Sequence, residues 1–330
     1  MSQFIERLPK VELHMHIEGS MEPEMLLQLA DKNKITLPYA DLDAVKAAYN
    51  FADLAAFVDL YIKGTEVVCD AEDFYTITME YLKKCHQENI LHTEIFCDIR
   101  TYVDRGYAPE MVIEGIDAGF KAAYQEFGIT GGMMPCFIRH LGAEPAMQDL
   151  DMLLRFKDKI LAIGLAAVEV GFPPSMFTDV FDRVRAEGIP VVAHAGEEGS
   201  PDYIWSAIRD IKVDRIDHGV RCLEDAQLVE YLKQKEIPLT VCPCSNVSLN
   251  VFERMEDHVL PQMLEAGLKV TVNSDDPAHF GAYLSENLTA VQNHCGVTDQ
   301  QLLQMQQNAV DASFATPDRK AELHQRLAEI

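Results

Sequence analysis

The sequence contains few basic residues for its size. Among its 330 residues, 28 lysines and arginines stand against 53 aspartates and glutamates, which gives a formal net charge of −25 at pH 7. Nucleic-acid binding depends on basic side chains that displace the counterions of the phosphate backbone, so this balance argues against DNA and RNA as partners. It also argues against anionic membrane surfaces, although a small neutral ligand stays compatible with the charge.

Long apolar runs are also missing. The longest, such as residues 160–168, fall well short of the roughly 20 residues that span a bilayer, and residues 1–7 lack the apolar core of a secretory signal peptide. We therefore expect a cytoplasmic protein without a membrane partner. In that setting the eight cysteines are expected to be reduced thiols or ligands rather than disulfides.

Short apolar runs alternate along the chain with amphipathic helical patterns. Parallel strands that are covered on both faces read as nearly continuous apolar runs, as these do. The alternation predicts an α/β fold, a (β/α)8 TIM barrel, with residues 1–330 forming a single domain. The eight predicted strands are residues 11–16, 90–96, 132–138, 163–170, 190–195, 215–218, 239–242 and 269–273.

The segment after the first predicted strand, residues 19–89, is too long for one crossover helix and contains several helical patterns. Loops that follow barrel strands build the active face, so we expect this helical insertion to lid the C-terminal face of the barrel. Phe51, Leu54 and Phe57 have the spacing of one apolar face of this lid. Core packing is the default role for such a face, and contact with a flat ligand is the alternative.

Histidines and carboxylates gather at the ends of four predicted strands. Residues two apart in a strand point to the same side, so the imidazoles of His14 and His16 can face one centre at the barrel mouth. Barrel enzymes carry their catalytic groups at these strand ends, which favours a functional site over a set of unrelated polar residues. The full set is His14, His16, His194, Glu197, His218, Asp275 and Asp276.

Zinc suits this set, because it binds imidazole and carboxylate ligands and can leave one position for water. Fe²⁺ or Mn²⁺ can occupy similar sites, because metal availability often decides which ion is bound. The predicted ligands of one Zn²⁺ per subunit are His14, His16, His194 and Asp275. The three residues left beside the metal have the side chains needed for general acid and base catalysis, namely Glu197, His218 and Asp276.

Four segments resemble motifs of the adenosine/adenine deaminase family, which belongs to the amidohydrolase superfamily of metal-dependent barrels. They are PKVELHMHIEG at residues 9–19, HAGE at 194–197, DHG at 217–219 and SDDP at 274–277. They occur in the order typical of the family, and the resemblance extends from Leu8 to about Asn308. It therefore covers nearly the whole chain.

The resemblance implies a role for each residue around a purine ring. Glu197 would share a proton with N1, and His218 would orient or deprotonate the attacking water and stabilise the developing alkoxide. Asp276 would contact N7 and help to move a proton to the leaving ammonia, and the Gly171 amide would approach N3. Elementary chemistry agrees, because addition of hydroxide to an aromatic C6 needs acidic and electrostatic partners on both sides.

One residue bears on which purine is used. Adenosine deaminases of this family typically read His-x-His-Leu-Asp-Gly, with the aspartate serving the ribose 5′-hydroxyl, whereas this chain has Ile17-Glu18-Gly19. The extra methylene places the Glu18 carboxylate further into the space that a ribose needs, and VCPCSN at residues 241–246 also resembles the adenine deaminase branch. The resemblance thus implies deamination of free adenine to hypoxanthine and ammonia in purine salvage. Adenosine stays an alternative if Glu18 is a conservative replacement that leaves ribose tolerated. N6-substituted adenines stay another alternative, because Cys244 and the lid could adjust the room near the amino group.

The sequence argues against two other functions. A binuclear amidohydrolase would need a bridging lysine at the fourth strand end, and residues 162–171 contain none. A catalytically silent purine-binding protein would have lost a metal ligand or Glu197, and this sequence keeps all of them. The cytidine-type half-motif at His92 lacks its Pro-Cys-x-x-Cys partner, so His92 is predicted to be a strand residue. The sequence leaves the oligomeric state open. Near predicted strand ends, Asp98, Arg139 and His140 could line the pocket. Four histidines in helical patterns are expected at the surface: His86, His258, His294 and His324.

Overall fold

Eight short parallel strands form the centre of the protein in a computed structural model that describes residues 1–49 and 54–330, without the side chains of 54–59. The strands are β1 (Lys10–Glu12), β2 (Ile90–Cys97), β3 (Thr130–Ile138), β4 (Gly164–Ala166), β5 (Val192–Ala195), β6 (Arg215–His218), β7 (Leu239–Val241) and β8 (Val270–Val272). All eight overlap the apolar runs that predict strands, although β1 ends at Glu12, before His14 and His16, which the sequence places in the first strand. The α/β barrel prediction is therefore confirmed in its strands.

The strands form two four-stranded sheets, β1 to β4 and β5 to β8, in sequence order. Two parallel bridges join these sheets: Ile163 pairs with Val191 between β4 and β5, and Met15 pairs with Asp275 between β8 and β1. At the second seam the His16 amide donates to the Asp275 carbonyl oxygen at 2.8 Å. This closure brings the ends of the first and last strands together.

Helices surround the strands on the outside of the barrel. The described α-helices are α1 (Gln3–Arg7), α2 (Pro23–Asn33), α3 (Leu42–Ala48), α4 (Leu54–Glu66), α5 (Ala71–Gln87), α6 (Ile99–Asp104), α7 (Glu110–Phe127), α8 (Ala143–Leu153), α9 (Thr178–Ala186), α10 (Pro201–Arg209), α11 (Ala226–Lys235), α12 (Pro243–Ser248), α13 (Leu260–Glu265), α14 (Pro277–Phe280), α15 (Leu284–Cys295), α16 (Asp299–Ala312) and α17 (Pro317–Ala328). Among the described residues, no helix is both long and apolar enough to cross a membrane.

The long segment between β1 and β2 contains α2 to α5, as its helical patterns predict. The Tyr49 hydroxyl donates to the Met21 carbonyl oxygen at 2.6 Å, and the Tyr61 hydroxyl on α4 donates to Asp98 after β2 at 3.2 Å. Phe51 and the side chains of Leu54 and Phe57 lie outside the described part of the chain. Their predicted apolar face, and the role of this segment as a lid, stay predictions.

The fourth strand is shorter than its sequence predicts. The apolar run continues to Val170, but β4 ends at Ala166, because Ala167 adopts a left-handed backbone with φ of +72°. Val168 and Val170 are 53% and 57% exposed, so they do not belong to a covered strand. Glu169 therefore lies in the loop at the C-terminal end of β4.

Candidate metal centre and active site

The four predicted metal ligands converge at the C-terminal ends of the strands. His14 Nε2 lies 3.4 Å and His16 Nε2 lies 3.5 Å from Asp275 Oδ1, while the Nε2 atoms of His16 and His194 are 3.2 Å apart. Donors of a tetrahedral zinc site, each about 2.0–2.1 Å from the ion, lie about 3.4 Å from one another. These side chains thus have the spacing of ligands around one ion.

The hydrogen bonds of His14 show which ring nitrogen faces the centre. The Thr240 hydroxyl donates its one hydrogen to Asp217 Oδ1 at 2.9 Å. It must therefore accept the hydrogen bond that joins it to His14 Nδ1 at 3.0 Å, so Nδ1 carries the ring proton. His14 Nε2 then presents a lone pair, and this buried atom has no hydrogen-bond partner among the described residues. A metal ion satisfies such an atom, so the residues present fit a bound metal.

His218 also lies at this centre but faces different atoms. One ligand atom each from His14, His194, His218 and Asp275 lies within 4.8 Å of the others. His218 Nε2, however, is 3.4 Å from Glu197 Oε2 and 3.9 Å from the second carboxylate oxygen of Asp275. That second oxygen accepts a hydrogen bond from Ser245 at 2.6 Å, which leaves Oδ1 for the metal side. This arrangement favours His16 over His218 as the fourth ligand.

Burial keeps three of the four histidines at the centre neutral. It lowers the pKa of His16 to about 4 and that of His218 to about 3, and burial with the charge of His14 lowers the pKa of His194 well below its usual range. Burial opposes the charge on Asp275, but the close contact and charge of His14 hold the pKa of Asp275 well below its usual value. Burial also opposes a charge on His14, but the nearby Asp275 carboxylate outweighs burial and raises the pKa of His14. A metal takes the place of the proton in such a pair.

Glu197 follows β5 and lies beside the centre. Burial, followed by the charges of Asp275 and Glu169, raises the pKa of this carboxyl well above its ordinary value. Its Oε1 accepts a hydrogen bond from Asn246 Nδ2 at 3.1 Å. A carboxyl whose pKa is raised in this way is suited to the role of general acid.

A second carboxylate, Glu169, holds the backbone that carries Glu197. Its two oxygens accept four consecutive backbone amides, from Gly196 at 2.6 Å, Glu197 at 3.2 Å, Glu198 at 2.9 Å and Gly199 at 2.8 Å. Several bonds to one buried carboxylate fix the position of this loop. Sequence reasoning missed Glu169, because it read the residue as part of a covered strand.

Glu18, Asp98 and Asp276 form an acidic wall beside the metal centre. The Asp98 amide donates to Glu18 Oε1 at 3.1 Å, whereas Glu18 Oε2 and Asp276 Oδ1 are buried without hydrogen-bond partners among the described residues. A Cβ on Gly19 would lie 1.9 Å from Asp276 Oδ1, so only glycine leaves room for this carboxyl. Burial raises the pKa of Glu18 to about 8 and of Asp98 to about 6, and it raises that of Asp276 well above its usual value.

Four further residues named in the sequence analysis differ in burial and in their hydrogen-bond partners. Gly171 is exposed in the loop after β4, and its amide donates to the Tyr203 hydroxyl at 2.9 Å. Arg139 is buried and donates to the His194 carbonyl oxygen at 2.7 Å, so it supports a ligand strand. His140 is exposed, and His92 lies on β2 as predicted.

The prediction that His258 lies at the surface is wrong. The side chain is buried, its Nδ1 accepts the Leu260 amide at 3.0 Å, and its Nε2 contacts Asn246 Oδ1 at 3.3 Å. Polar neighbours in the sequence give no sign that the ring packs at 4.6 Å against Phe252. His86 and His294 are exposed and His324 is partly exposed, in line with the expectation for them.

His258→Gln is expected to reduce the loss of stability at acidic pH. Burial lowers the pKa of His258 from 6.5 to about 4, so below pH 6.5 the unfolded chain binds a proton that the folded protein refuses. This difference costs about 2 kcal/mol near pH 5 and lowers the melting temperature by about 3 °C. Glutamine does not titrate, so the melting temperature should fall less in the variant between about pH 7 and pH 5. His294→Gln, at an exposed site, is the control, and equal losses in all three proteins would contradict the prediction.

A closed parallel barrel whose strand ends converge on histidines and an aspartate defines the class of metal-dependent barrel hydrolases. Within that class, the adenosine deaminase family model matches residues 9–330. The chain belongs to the adenosine deaminase family. The resemblance seen in the sequence motifs is thereby confirmed.

Several relatives carry a more specific name. An adenine deaminase of Pseudomonas fluorescens is 49% identical over 317 residues, which cover 96% of this chain and 100% of that protein. The structure of an adenine deaminase from Arthrobacter aurescens superposes with a TM-score of 0.95 at 38% identity and covers 98% of both chains. An amidohydrolase from Burkholderia ambifaria with bound Zn has a TM-score of 0.91 at 25% identity and covers 99% of this chain and 91% of its own.

Proposed function

We propose that this chain is an adenine deaminase, which hydrolyses adenine to hypoxanthine and ammonia. The observation that carries the proposal is the position of Glu197, whose Oε2 lies 3.4 Å from His218 Nε2 beside a cluster of histidines and one carboxylate, where the pKa of Glu197 is raised well above its ordinary value. A hydrolase that adds water to a purine needs such an acid next to its nucleophile. The adenine deaminases to which the chain is similar support the choice of substrate.

The proposed cofactor is one Zn²⁺ per subunit, although Fe²⁺ or Mn²⁺ fits the same donors. A zinc ion in such a site lowers the pKa of a bound water toward about 7 and so supplies a hydroxide nucleophile at neutral pH. The zinc in the related amidohydrolase supports this assignment. The residues assigned to hold the ion are His14, His16, His194 and Asp275.

Glu197 acts on the ring nitrogen next to the reacting carbon. Its carboxyl donates a proton to purine N1, which makes C6 electrophilic and accepts the charge that would otherwise build up on the ring. The proton lost by the attacking water restores the carboxyl. One proton donor thus serves the addition and returns to its starting state.

His218 and Asp276 act on the two sides of C6. His218 orients the attacking water and stabilises the alkoxide that develops on C6, where a positioned donor is most effective. Burial raises the pKa of Asp276 well above its usual value, and in its protonated form this carboxyl can donate a hydrogen bond to N7, which is an acceptor. The same carboxyl then helps to move a proton from the new hydroxyl to the departing amino group, which leaves as ammonia.

The remaining edge of the purine is assigned to Gly171 and Glu18. The Gly171 amide is proposed to donate to N3 in exchange for its present partner, the Tyr203 hydroxyl. The buried Glu18 carboxyl occupies the direction in which a ribose would leave the ring, which favours the free base over the nucleoside. An acidic wall also disfavours phosphorylated substrates, because a carboxyl group, whether ionised or protonated, offers a phosphate no positive charge.

The wider setting of the protein is proposed on the same basis. The partner is a small purine base rather than nucleic acid or membrane, in keeping with the formal charge of −25. We place the enzyme in the cytoplasm, in purine salvage, as one barrel domain whose residues 19–89 form a lid over the site.

The substrate assignment is tested by the values of kcat/KM for adenine and adenosine with the metal-loaded protein. We expect adenine to be preferred by at least about 100-fold, because the Glu18 carboxyl would be buried against a ribose without a partner. Glu18→Asp shortens the side chain and should reduce this preference, whereas Glu24→Asp, at an exposed position on α2, should not change it. Better use of adenosine than of adenine by the wild-type protein would contradict the assignment, as would an unchanged preference in Glu18→Asp.

A further inference from the structure

A buried histidine behind the active site has a defined tautomer. His258 Nδ1 lies 3.0 Å from the Leu260 backbone nitrogen, which can only donate. Nδ1 therefore accepts, and in a neutral ring the proton must sit on Nε2. The ring is 1% exposed, so no bulk water competes for either nitrogen.

This tautomer sets the orientation of the neighbouring amide. His258 Nε2 carries the proton and donates to Asn246 Oδ1 at 3.3 Å. With its oxygen turned to His258, the fully buried Asn246 presents both hydrogens of Nδ2 to the opposite side. There Nδ2 lies 3.1 Å from Glu197 Oε1 and 3.4 Å from His218 Nδ1.

The hydrogen bonds donated by Asn246 also determine which atoms of Glu197 and His218 carry the proton. Glu197 Oε1 accepts from Asn246, so the proton of this carboxyl is left to Oε2. His218 Nδ1 also accepts, so in its neutral ring the proton is on Nε2. Nε2 lies 3.4 Å from Glu197 Oε2, and because both atoms then carry a proton, neither donates to the other and each proton is left for an atom of the bound reactants. Each step follows from the one before it, starting from the Leu260 amide.

We propose that His258 and Asn246 are positioning residues that place the Glu197 proton on Oε2 and the His218 proton on Nε2. This inference rests on the proposed function, and it deepens the assignment of His218. A ring that carries its proton on Nε2 donates toward the reacting oxygen. It therefore stabilises the alkoxide and orients the water, and it does not take the proton of the water.

The test uses variants of the metal-loaded protein with near-identical volume. Asn246→Asp replaces the amide donor by a group that accepts, and it should lower kcat for adenine at least about 100-fold with little change in KM. His258→Leu removes the donor to Asn246 and should lower kcat about 10-fold, whereas His258→Gln, which keeps an N–H donor near Nε2, should stay within about threefold. Metal content should match the wild type, the melting temperature should fall by no more than a few degrees from the lost buried hydrogen bonds, and His294→Gln should behave as wild type.

A spectroscopic measurement on the same proteins does not depend on turnover. Nitrogen NMR of histidine-labelled, zinc-loaded protein should show His258 and His218 protonated on Nε2, with the signals assigned by the His258→Leu and a His218→Gln variant. In Asn246→Asp the new carboxylate accepts a hydrogen bond from His218, so the His218 ring proton should move from Nε2 to Nδ1. If Asn246→Asp fails to fold, Asn246→Ala should still show loss of kcat.

Any of three results from the variants would overturn the inference, and so would a fourth that concerns metal content and stability. The three are a His218 proton that stays on Nε2 in Asn246→Asp, a kcat for that variant within about twofold of wild type, and equal damage from His258→Gln and His258→Leu. Loss of metal or of thermal stability in proportion to the loss of kcat would also overturn it, because the residues would then be merely structural. A wild-type protein that does not deaminate adenine would instead refute the proposed function, whereas the NMR result would still decide the tautomers.

Discussion

Glu197→Gln is expected to bind its metal normally, and its kcat for adenine should be about 100- to 10,000-fold lower than that of the wild type. Glutamine matches the shape of the side chain and can still contact the purine, but it has no proton to give to N1. The carboxyl faces His218 and Asn246 rather than the shared oxygen of Asp275, so its loss should leave the metal ligands in place. KM should change little, because the missing interaction belongs to the transition state.

The neighbouring Glu198 provides a matched control for this variant. Its side chain is exposed, although its amide shares the Glu169 carboxylate with that of Glu197. Glu198→Gln should keep wild-type kcat and metal content. The assigned role of Glu197 is refuted if steady-state kinetics place Glu197→Gln within about tenfold of wild type while the metal content is unchanged.

His14→Ala is expected to lose the metal and, with it, nearly all activity. The imidazole is fully buried, and its Nε2 lies 3.4 Å from Asp275 Oδ1 at the centre of the ligand cluster. Outer-shell changes alone lower metal affinity about 10- to 100-fold, so removal of a ligand should exceed that range. The metal content after dialysis should fall from near one ion per subunit to a small fraction.

A control variant distinguishes a histidine that binds the metal from one that does not. His86→Ala, on the exposed face of α5, should keep the metal and the activity. Elemental analysis of the three dialysed proteins checks both statements. A His14→Ala protein that retains its metal in full would show that the ion is held elsewhere or by other residues.

Much of the fold and the metal centre is predictable from the sequence, because both depend on where apolar runs end. The run 215–218 coincides with β6, and its last residue, His218, lies at the catalytic face. His14 and His16 likewise end an apolar run, and their spacing of two residues predicts the shared side that Asp275 joins. Local pattern and strand-end position therefore carry this information.

The apolar pattern does not show where a strand stops pairing. Residues up to Val170 read as strand, yet the left-handed backbone of Ala167 ends β4 at Ala166. That conformation depends on how the loop packs, and no residue type in the run signals it. The consequence is functional, because the missed turn releases Glu169 to hold the Glu197 loop.

Residues that support the catalytic groups from other loops are also hidden from sequence reasoning. Ser245 and Asn246 lie in the VCPCSN segment, so the motif marks their place, but it does not show that they contact Asp275 and Glu197. His258 has polar neighbours and reads as a surface residue, because its burial depends on packing against Phe252. Such contacts join segments of the chain that come together only in the folded barrel.

The most direct test of the account measures the products formed from adenine by the protein before and after removal of its metal. We expect the metal-loaded protein to release hypoxanthine and ammonia in equal amounts, the metal-free protein to release neither, and added zinc to restore both. Turnover of adenine that persists without metal, or a metal-loaded protein that yields no hypoxanthine, would contradict the account.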